Sequence, residues 1–185
     1  MLDARRHTLV ALIIGLAAAA GCSDINPLEA TSTTAPARQR PIDVNDADVE
    51  FLSEMIGHLR TGEVLITAAL DPTADAAAQV TTLANHIGDE NAGRVVRMTD
   101  LLERWGEPAV QVSTLETVPA LTGLTGADFD EQWKSLMLDH HARSAVLAGQ
   151  VRAGGSSRIV DNLAAGMLID LGFEAGRLEE SIGLE

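Results

Sequence analysis

Residues 133–141 have the sequence WKSLMLDHH, and residues 51–59 have the related sequence FLSEMIGHL. In each copy a methionine is followed three residues later by a histidine, and the two copies lie 82 residues apart. A three-residue step places the two side chains on one face of an α-helix, and both residue types are ligands of soft or borderline metals. The repeat therefore predicts an internal duplication and a candidate metal site.

Apolar residues continue the pattern on both sides of each copy. Steps that alternate between three and four residues are typical of a helix face that packs into a core. Two further segments repeat each other at an offset of 80 residues, so that Leu83 and Ile87 correspond to Leu163 and Met167. We therefore predict an all-α four-helix bundle made of two duplicated helical hairpins. The stripes that carry histidine are Phe51, Met55, His58, Gly62, Leu65 and Ala69, and Trp133, Met137, His140, Ser144, Leu147 and Val151.

Capping and stop signals predict where the helices begin and end. Gly106, followed by Pro108, is a strong stop signal, and residues 107–124 contain two prolines, which predicts a long crossover loop between the hairpins. The predicted helices run from the cap Asn45 or Asp46 to about Leu70, from Thr73 to Trp105, from a capping box at Thr125 and Asp128 to Gly154, and from Ser156 or Ser157 to about Gly183.

The first 22 residues predict export and lipid anchoring. Arg5 and Arg6 precede an apolar run at residues 8–20, which is shorter than the ~20 residues of a spanning helix. Residues 19–22, AAGC, resemble a bacterial lipobox. We predict a lipoprotein signal peptide at residues 1–21 and an acylated Cys22, which is the sole cysteine. The alternative is an ordinary secretory signal with an incidental cysteine.

Composition predicts a flexible tether, a folded domain and the way in which the mature chain contacts the membrane. Residues 22–44, with Ser, Thr and Pro and no apolar periodicity, are interpreted as a flexible tether, and residues 45–185 as the folded domain. Loss of residues 1–21 changes the formal charge from −14 to −15. Such a charge repels nucleic acid and anionic headgroups, so we expect contact with the cell membrane only through the lipid, on its extracytoplasmic face.

A polar layer is predicted in the middle of the bundle. His58 and His140 lie on core stripes, while His141 points about 100° away around its helix. The facing stripes contribute Arg94 and Glu174. Two interpretations remain open: the layer binds a transition metal, or Arg94 pairs with Glu174 and the histidines hydrogen-bond around that pair. The candidate metal ligands are Met137, His140, His141, Glu174, His58 and Met55; the candidate structural layer is Arg94, Asn91 and Glu174.

Glycine is unusually common inside the predicted helices. Each interior glycine costs about 1 kcal/mol relative to alanine. Close helix–helix approach is one explanation for them, and a modestly stable, mobile bundle is the other. The positions are Gly57, Gly62, Gly88, Gly93, Gly149, Gly166, Gly172 and Gly176.

Segments 51–58 and 129–141, together with Met98 and Trp105-Gly106 in the second helix, resemble the two halves of the domain of unknown function 305. The resemblance covers roughly residues 45–184. It implies a ferritin-like four-helix bundle in a secreted, periplasmic or lipid-anchored protein. For some members of that family it also implies copper binding in the cell envelope.

This chain departs from the family pattern mainly at soft or polar ligands. Leu59 replaces the second histidine of the first half, and residues 121–124, LTGL, replace Met-x-Gly-Met. Glu174 is retained. These replacements predict weak copper binding. In the second and fourth helices the replacing residues are Asn91, Arg94, Leu171 and Leu178.

Motifs of enzymes are lacking in the sequence. There is no Glu-x-x-His pair for a di-iron centre, no His-Glu-x-x-His, no Gly-rich phosphate loop and no Gly-x-Ser-x-Gly. We therefore expect a non-enzymatic envelope lipoprotein that binds a transition metal weakly, with copper as the candidate. The alternatives are a metal-free interaction or structural module that contacts another envelope protein, and a carrier of an apolar ligand.

Overall fold

The computed structural model describes residues 39–108, 110 and 118–180. These residues form four α-helices and two 3₁₀ turns, Pro72–Ala74 and Pro119–Leu121, without any strand. The all-α prediction is therefore confirmed. Cys22, the signal peptide, most of the tether and Gly183 lie outside the described residues. The helices are α1 (Asp46–Leu70), α2 (Ala78–Trp105), α3 (Gly126–Gly154) and α4 (Arg158–Glu180).

The helices pack as two hairpins, α1 with α2 and α3 with α4, and helices α1 and α3 run antiparallel to each other. The Trp133 indole Nε1 donates a hydrogen bond to the carbonyl oxygen of Leu65 at 2.8 Å, which pairs the start of α3 with the end of α1. At the other end, Asn45 Nδ2 donates to the carbonyl of Gly154 at 2.9 Å. Helices α2 and α3 therefore run in the same direction, as a long crossover requires. The ferritin-like bundle of two duplicated hairpins is confirmed.

The structure corrects one predicted helix start and one predicted capping interaction. Helix α2 begins at Ala78 rather than Thr73, because Asp71 accepts hydrogen bonds from the backbone and hydroxyl of Thr73 and caps a 3₁₀ turn instead. Helix α3 follows Thr125 as predicted, but the Thr125 side chain makes no capping hydrogen bond, so the capping box is wrong. The cap at Asn45 is present: its side chain accepts from the Asp48 amide, and the Asp48 carboxylate accepts from the Asn45 amide.

The core consists of two apolar clusters at opposite ends of the bundle. Met55 is fully buried in the first cluster, which joins the start of α1 to the ends of α2 and α3 and to the start of α4. Met137 is fully buried in the second cluster, which joins the end of α1 to the starts of α2 and α3 and to the end of α4. None of the helices in the described part of the chain is long and apolar enough to cross a membrane.

Only two of the eight interior glycines bring a neighbouring helix within close packing distance. A Cβ atom at Gly62 would collide with the His140 ring, and one at Gly88 would lie 3.3 Å from Ile66 Cγ2. Close helix approach therefore explains these two positions. A Cβ atom would meet nothing within 4 Å at Gly57, Gly149, Gly166, Gly172 or Gly176.

Asp48 connects the start of α1 to the turn before α4. Its carboxylate Oδ2 accepts hydrogen bonds from the amides of Asn45 at 2.9 Å, Ser156 at 3.1 Å and Ser157 at 3.0 Å. The Asp48 side chain is 1% exposed, and Ser157 is buried with it. A negative charge at a helix N-terminus also interacts favourably with the helix dipole. Asp48 thus holds the two hairpins together at one end of the bundle.

Replacing Asp48 by alanine is expected to lower the free energy of unfolding by about 3 kcal/mol, because three amides, one of them fully buried, lose their charged acceptor. Urea denaturation followed by circular dichroism measures this loss. Glu50→Ala, an exposed change two residues away, is the control and should cost less than about 0.5 kcal/mol. Equal losses in the two variants would contradict the role assigned to Asp48.

Candidate functional site

A polar layer lies between the two apolar clusters. Because the two halves of the domain are related by duplication, residues at equivalent positions face each other across this layer. His58 and His140 are one such pair, and Arg94 and Glu174 are another. The layer comprises His58, Asn91, Arg94, His140, His141, Ser144 and Glu174, with Asp170 at its edge.

His58 and His140 stack face to face between α1 and α3. Their ring centroids are 3.9 Å apart, and the ring planes are inclined by 16°. His58 Nε2 donates a hydrogen bond to the backbone carbonyl of His140 at 3.0 Å, and the same carbonyl accepts from Ser144 Oγ at 3.1 Å. A carbonyl can only accept, so Nε2 of His58 carries a proton. In the neutral ring, Nδ1 of His58 therefore holds the lone pair.

The His140 ring occupies space that only glycine at position 62 leaves open. A Cβ atom at Gly62 would lie 2.6 Å from His140 Nε2 and 2.7 Å from its Cε1. The His140 side chain is 8% exposed, and its Nε2 is buried without a hydrogen-bond partner. The His140 ring can therefore pack in this position only because residue 62 is glycine. Neither the number of glycines nor the apolar stripe indicates this contact in the sequence.

Arg94 is the centre of a buried ion-pair network between α2 and α4. It is 2% exposed, and its guanidinium donates to Asn91 Oδ1 at 3.0 Å, Asp170 Oδ2 at 3.1 Å and Glu174 Oε1 at 3.4 Å. The other Glu174 oxygen lies 2.7 Å from His141 Nε2. Asp170 was missed in the sequence, although it stands one helical turn before Glu174 and therefore on the same side of α4.

Burial controls the protonation of this layer. Desolvation, followed by the charges of His58 and His141, lowers the pKa of His140 to about 3. Desolvation also lowers the pKa of His58, although its hydrogen bond to the His140 carbonyl opposes the effect. Burial raises the pKa of Glu174, but the hydrogen bond with His141 and the charge of Arg94 outweigh it, so that pKa is lowered. The stacked histidines are therefore neutral, and Glu174 ionised, at neutral pH.

The structure brings some of the candidate metal ligands together and separates others. His141 contacts Glu174, and His58 contacts His140, but Met55 and Met137 lie in opposite apolar clusters. Nowhere in residues 39–108, 110 and 118–180 do three His, Cys, Asp or Glu side chains form a group that could hold a metal ion.

In the part of the chain that the structure describes, two buried imidazole nitrogens lack hydrogen-bond partners. They are Nε2 of His140, which packs against Gly62, and Nδ1 of His141. The Glu174 carboxylate accepts a hydrogen bond from Nε2 of His141 at 2.7 Å, so Nδ1 is the nitrogen of that ring without a partner. Imidazole nitrogen is among the ligand types that suit copper.

Comparison with solved structures shows the same fold. CopM in its Cu(I)-bound form superposes with a TM-score of 0.63 at 17% identity, covering 72% of this chain and 93% of that one. The apo form of CopM gives a TM-score of 0.62 at 18% identity over the same shares. A DUF305 fragment from Deinococcus radiodurans gives 0.64 at 21% identity, covering 76% of this chain and 97% of the fragment.

The predicted resemblance to the domain of unknown function 305 is thus confirmed at the level of the fold. Sequence comparison finds no matching family model and no matching curated protein.

Gly62→Ala is expected to lower the free energy of unfolding by about 2 kcal/mol, because the added methyl displaces the His140 ring from a packed position. Gly57→Ala, in the same helix but facing open space, is the matched control. It should instead stabilise the chain by up to about 1 kcal/mol through helix propensity. Chemical denaturation measures both changes, and a stabilising Gly62→Ala would refute the close approach.

The neutral His140 makes stability depend on pH. In the folded chain the ring stays neutral down to a pKa of about 3, whereas the unfolded chain takes up the proton below about pH 6.5. The unfolded state binds more protons in this window, so stability is full above pH 6.5 and falls as the pH is lowered toward 3. Between pH 6.5 and 5 the wild type should lose about 1.5 kcal/mol more than His140→Gln.

Urea denaturation at pH 6.5 and pH 5 measures this difference. His86→Gln, which changes an exposed histidine of α2, is the control and should retain the wild-type pH dependence. A His140→Gln variant with the same pH dependence as the wild type would contradict a neutral buried ring.

Proposed function

We propose that this chain is a cell-envelope lipoprotein, a divergent relative of the domain of unknown function 305, whose bundle binds a single copper ion weakly. The observation that carries the proposal is the buried Nε2 of His140, which has no hydrogen-bond partner among the described residues and belongs to a ring that is neutral at physiological pH. The solved CopM forms with Cu(I), Cu(II) and Ag support it, because they have the same fold.

The ligands that we propose are His140 and His141, with the thioether of Met137. Imidazole suits copper, and thioether sulfur favours Cu(I), which accepts a small number of soft ligands. Met137 stands one turn before the histidines on α3 and is fully buried. A site with so few protein donors is expected to be weak, in keeping with the replacement of other soft ligands by leucine.

Glu174 is proposed to orient a ligand rather than to bind the ion. Its carboxylate already contacts His141 Nε2 and Arg94. We propose that it accepts a hydrogen bond from Nε2 of His141 and so leaves Nδ1 available to the ion, as carboxylates do behind the histidines of many metal sites. It also offsets the permanent positive charge of Arg94, which would otherwise repel a cation nearby.

The first-half copy of the motif is proposed not to bind metal. His58 Nε2 is bound to the His140 carbonyl, Met55 lies in the opposite apolar cluster, and Leu59 stands where the second histidine would be. We also propose that the domain is not an enzyme and that acylated Cys22 attaches it to the extracytoplasmic face of the cell membrane.

A metal-free structural or interaction role is the second candidate. It is favoured by the network of Arg94, Asp170, Glu174 and His141, in which the buried charges are paired without any metal ion. In that case a protein partner in the envelope would be the ligand of the domain.

Anaerobic titration of the purified chain with Cu(I) against a competing chromophoric chelator tests copper binding. We expect one equivalent to bind, and the double variant His140→Ala/His141→Ala to weaken binding at least about tenfold through the loss of its main donors. Met55→Leu is the control and should bind as the wild type. Binding unchanged in the double variant would overturn the site, and absence of any copper binding would favour the metal-free role.

A further inference from the structure

The outward face of α4 carries no charged residue over four helical turns. Ile169 lies at its centre and is 61% exposed, and Phe173, one turn later, is 72% exposed. Exposed charges are instead common on α1, for example at Glu54, Arg60 and Glu63. The uncharged face of α4 consists of Asn162, Ala165, Gly166, Ile169, Gly172, Phe173 and Gly176.

The three glycines of this face have no explanation inside the molecule. A Cβ atom at Gly166, Gly172 or Gly176 would meet nothing within 4 Å. Glycine within a helix is destabilising, and here no neighbouring helix approaches closely enough to compensate. The absence of side chains instead allows the backbone of α4 to be approached closely from outside, between the large apolar side chains of Ile169 and Phe173.

Opposite charges stand at the two ends of the face. Arg158 precedes Ile169 by eleven residues, and Glu180 follows it by eleven. Eleven residues are close to three helical turns, so both side chains lie on the same side of α4 as Ile169. Both are exposed, and neither forms an ion pair with the residues that the structure describes.

The face is complementary to itself about a two-fold axis through Ile169. An antiparallel copy of α4 would place each residue opposite the one at the same distance on the other side of Ile169. Gly166 would then face Gly172, and the small side chain of Ala165 would face Phe173. At the ends, Arg158 of each copy would face Glu180 of the other. A surface that matches itself in this way is the property of an isologous two-fold interface.

We propose that a second copy of this chain docks on α4 in an antiparallel arrangement, centred on Ile169. The packing of Ile169 against Ile169 of the second copy, and of Phe173 against its Ala165, supplies the apolar core of the contact, while the facing glycines let the two backbones approach closely. The two Arg158–Glu180 pairs lie at its rim, where such pairs contribute little affinity but select the orientation. A parallel arrangement would instead place Arg158 against Arg158 and Glu180 against Glu180.

The charge of the chain disfavours self-association through its other, charged surfaces. A formal charge of −14 makes two copies repel each other over most of their surface. The α4 face is free of charge between its two ends, so contact there brings no like charges together. This interaction uses none of the proposed copper ligands and is independent of metal binding.

Disulfide trapping of the full chain, purified in detergent, tests the arrangement directly. Ile169→Cys places a thiol on the two-fold axis, next to the same thiol of the second copy, and mild oxidation should convert most of the chain to a covalent dimer. Val146→Cys, 58% exposed on α3, is the matched control and should remain monomeric. The unchanged chain, which retains Cys22, reports any crosslinking through that residue.

Sedimentation equilibrium of the same full chain measures the affinity. Phe173→Glu should raise the dissociation constant at least about tenfold, since it places a charge in the apolar centre of the contact. Circular dichroism should show an unchanged melting temperature, because the side chain is exposed in the single copy. Arg158→Glu should weaken the dimer, and the double reversal Arg158→Glu/Glu180→Arg should restore it.

The proposal is overturned if the wild-type chain is monomeric at its highest soluble concentration, or if Val146→Cys crosslinks as efficiently as Ile169→Cys. A double charge reversal that weakens the dimer further than Arg158→Glu alone would exclude the antiparallel orientation. Each of these outcomes can occur whether or not the chain binds copper, so failure of this interface and failure of the copper site are separable.

Discussion

The buried ion pair between Arg94 and Glu174 is the constraint on which the rest of this bundle depends. Both side chains are 2% exposed, and a buried charge without a partner would cost several kcal/mol. Helices α2 and α4 must therefore stay in the register that keeps the pair together. The same carboxylate contacts His141, so one charge also sets the orientation of an imidazole on α3. The electrostatic requirement of the fold and the chemistry of the candidate site thus share one residue.

Periodicity in the sequence predicted the positions that face the core but not what each side chain touches there. The alternating steps correctly placed His58 and His140 on the inner faces, and their equivalence across the duplication explains why they meet. The stacking distance and the need for Gly62 depend on how closely α1 and α3 approach, which is a property of the assembled bundle. Asp170 was missed because its role is to accept a hydrogen bond from Arg94, which lies 76 positions away in the sequence.

Capping signals in the sequence predicted the start of α1 correctly, but they failed for α2, where a second residue competes as the cap. Asn45 caps α1 as its sequence indicates, because its partner Asp48 lies only three residues away. Near Thr73 the carboxylate of Asp71 caps a short 3₁₀ turn first, which delays the next helix to Ala78. The second function of Asp48, at the turn before α4, depends on contacts over more than 100 residues and has no local signature.

The two halves of this domain carry opposite charges at equivalent positions that face each other, Arg94 and Glu174. Equivalent positions face each other, so retention of the same charge at residues 94 and 174 would bury two like charges in contact. Opposite charges remove that repulsion, but only one helix can then supply the carboxylate. That carboxylate orients His141 on α3, while the equivalent position on α1, Leu59, packs in the apolar core with 1% exposure. The half of the molecule that retains two adjacent histidines is therefore the half in which a buried carboxylate contacts one of them.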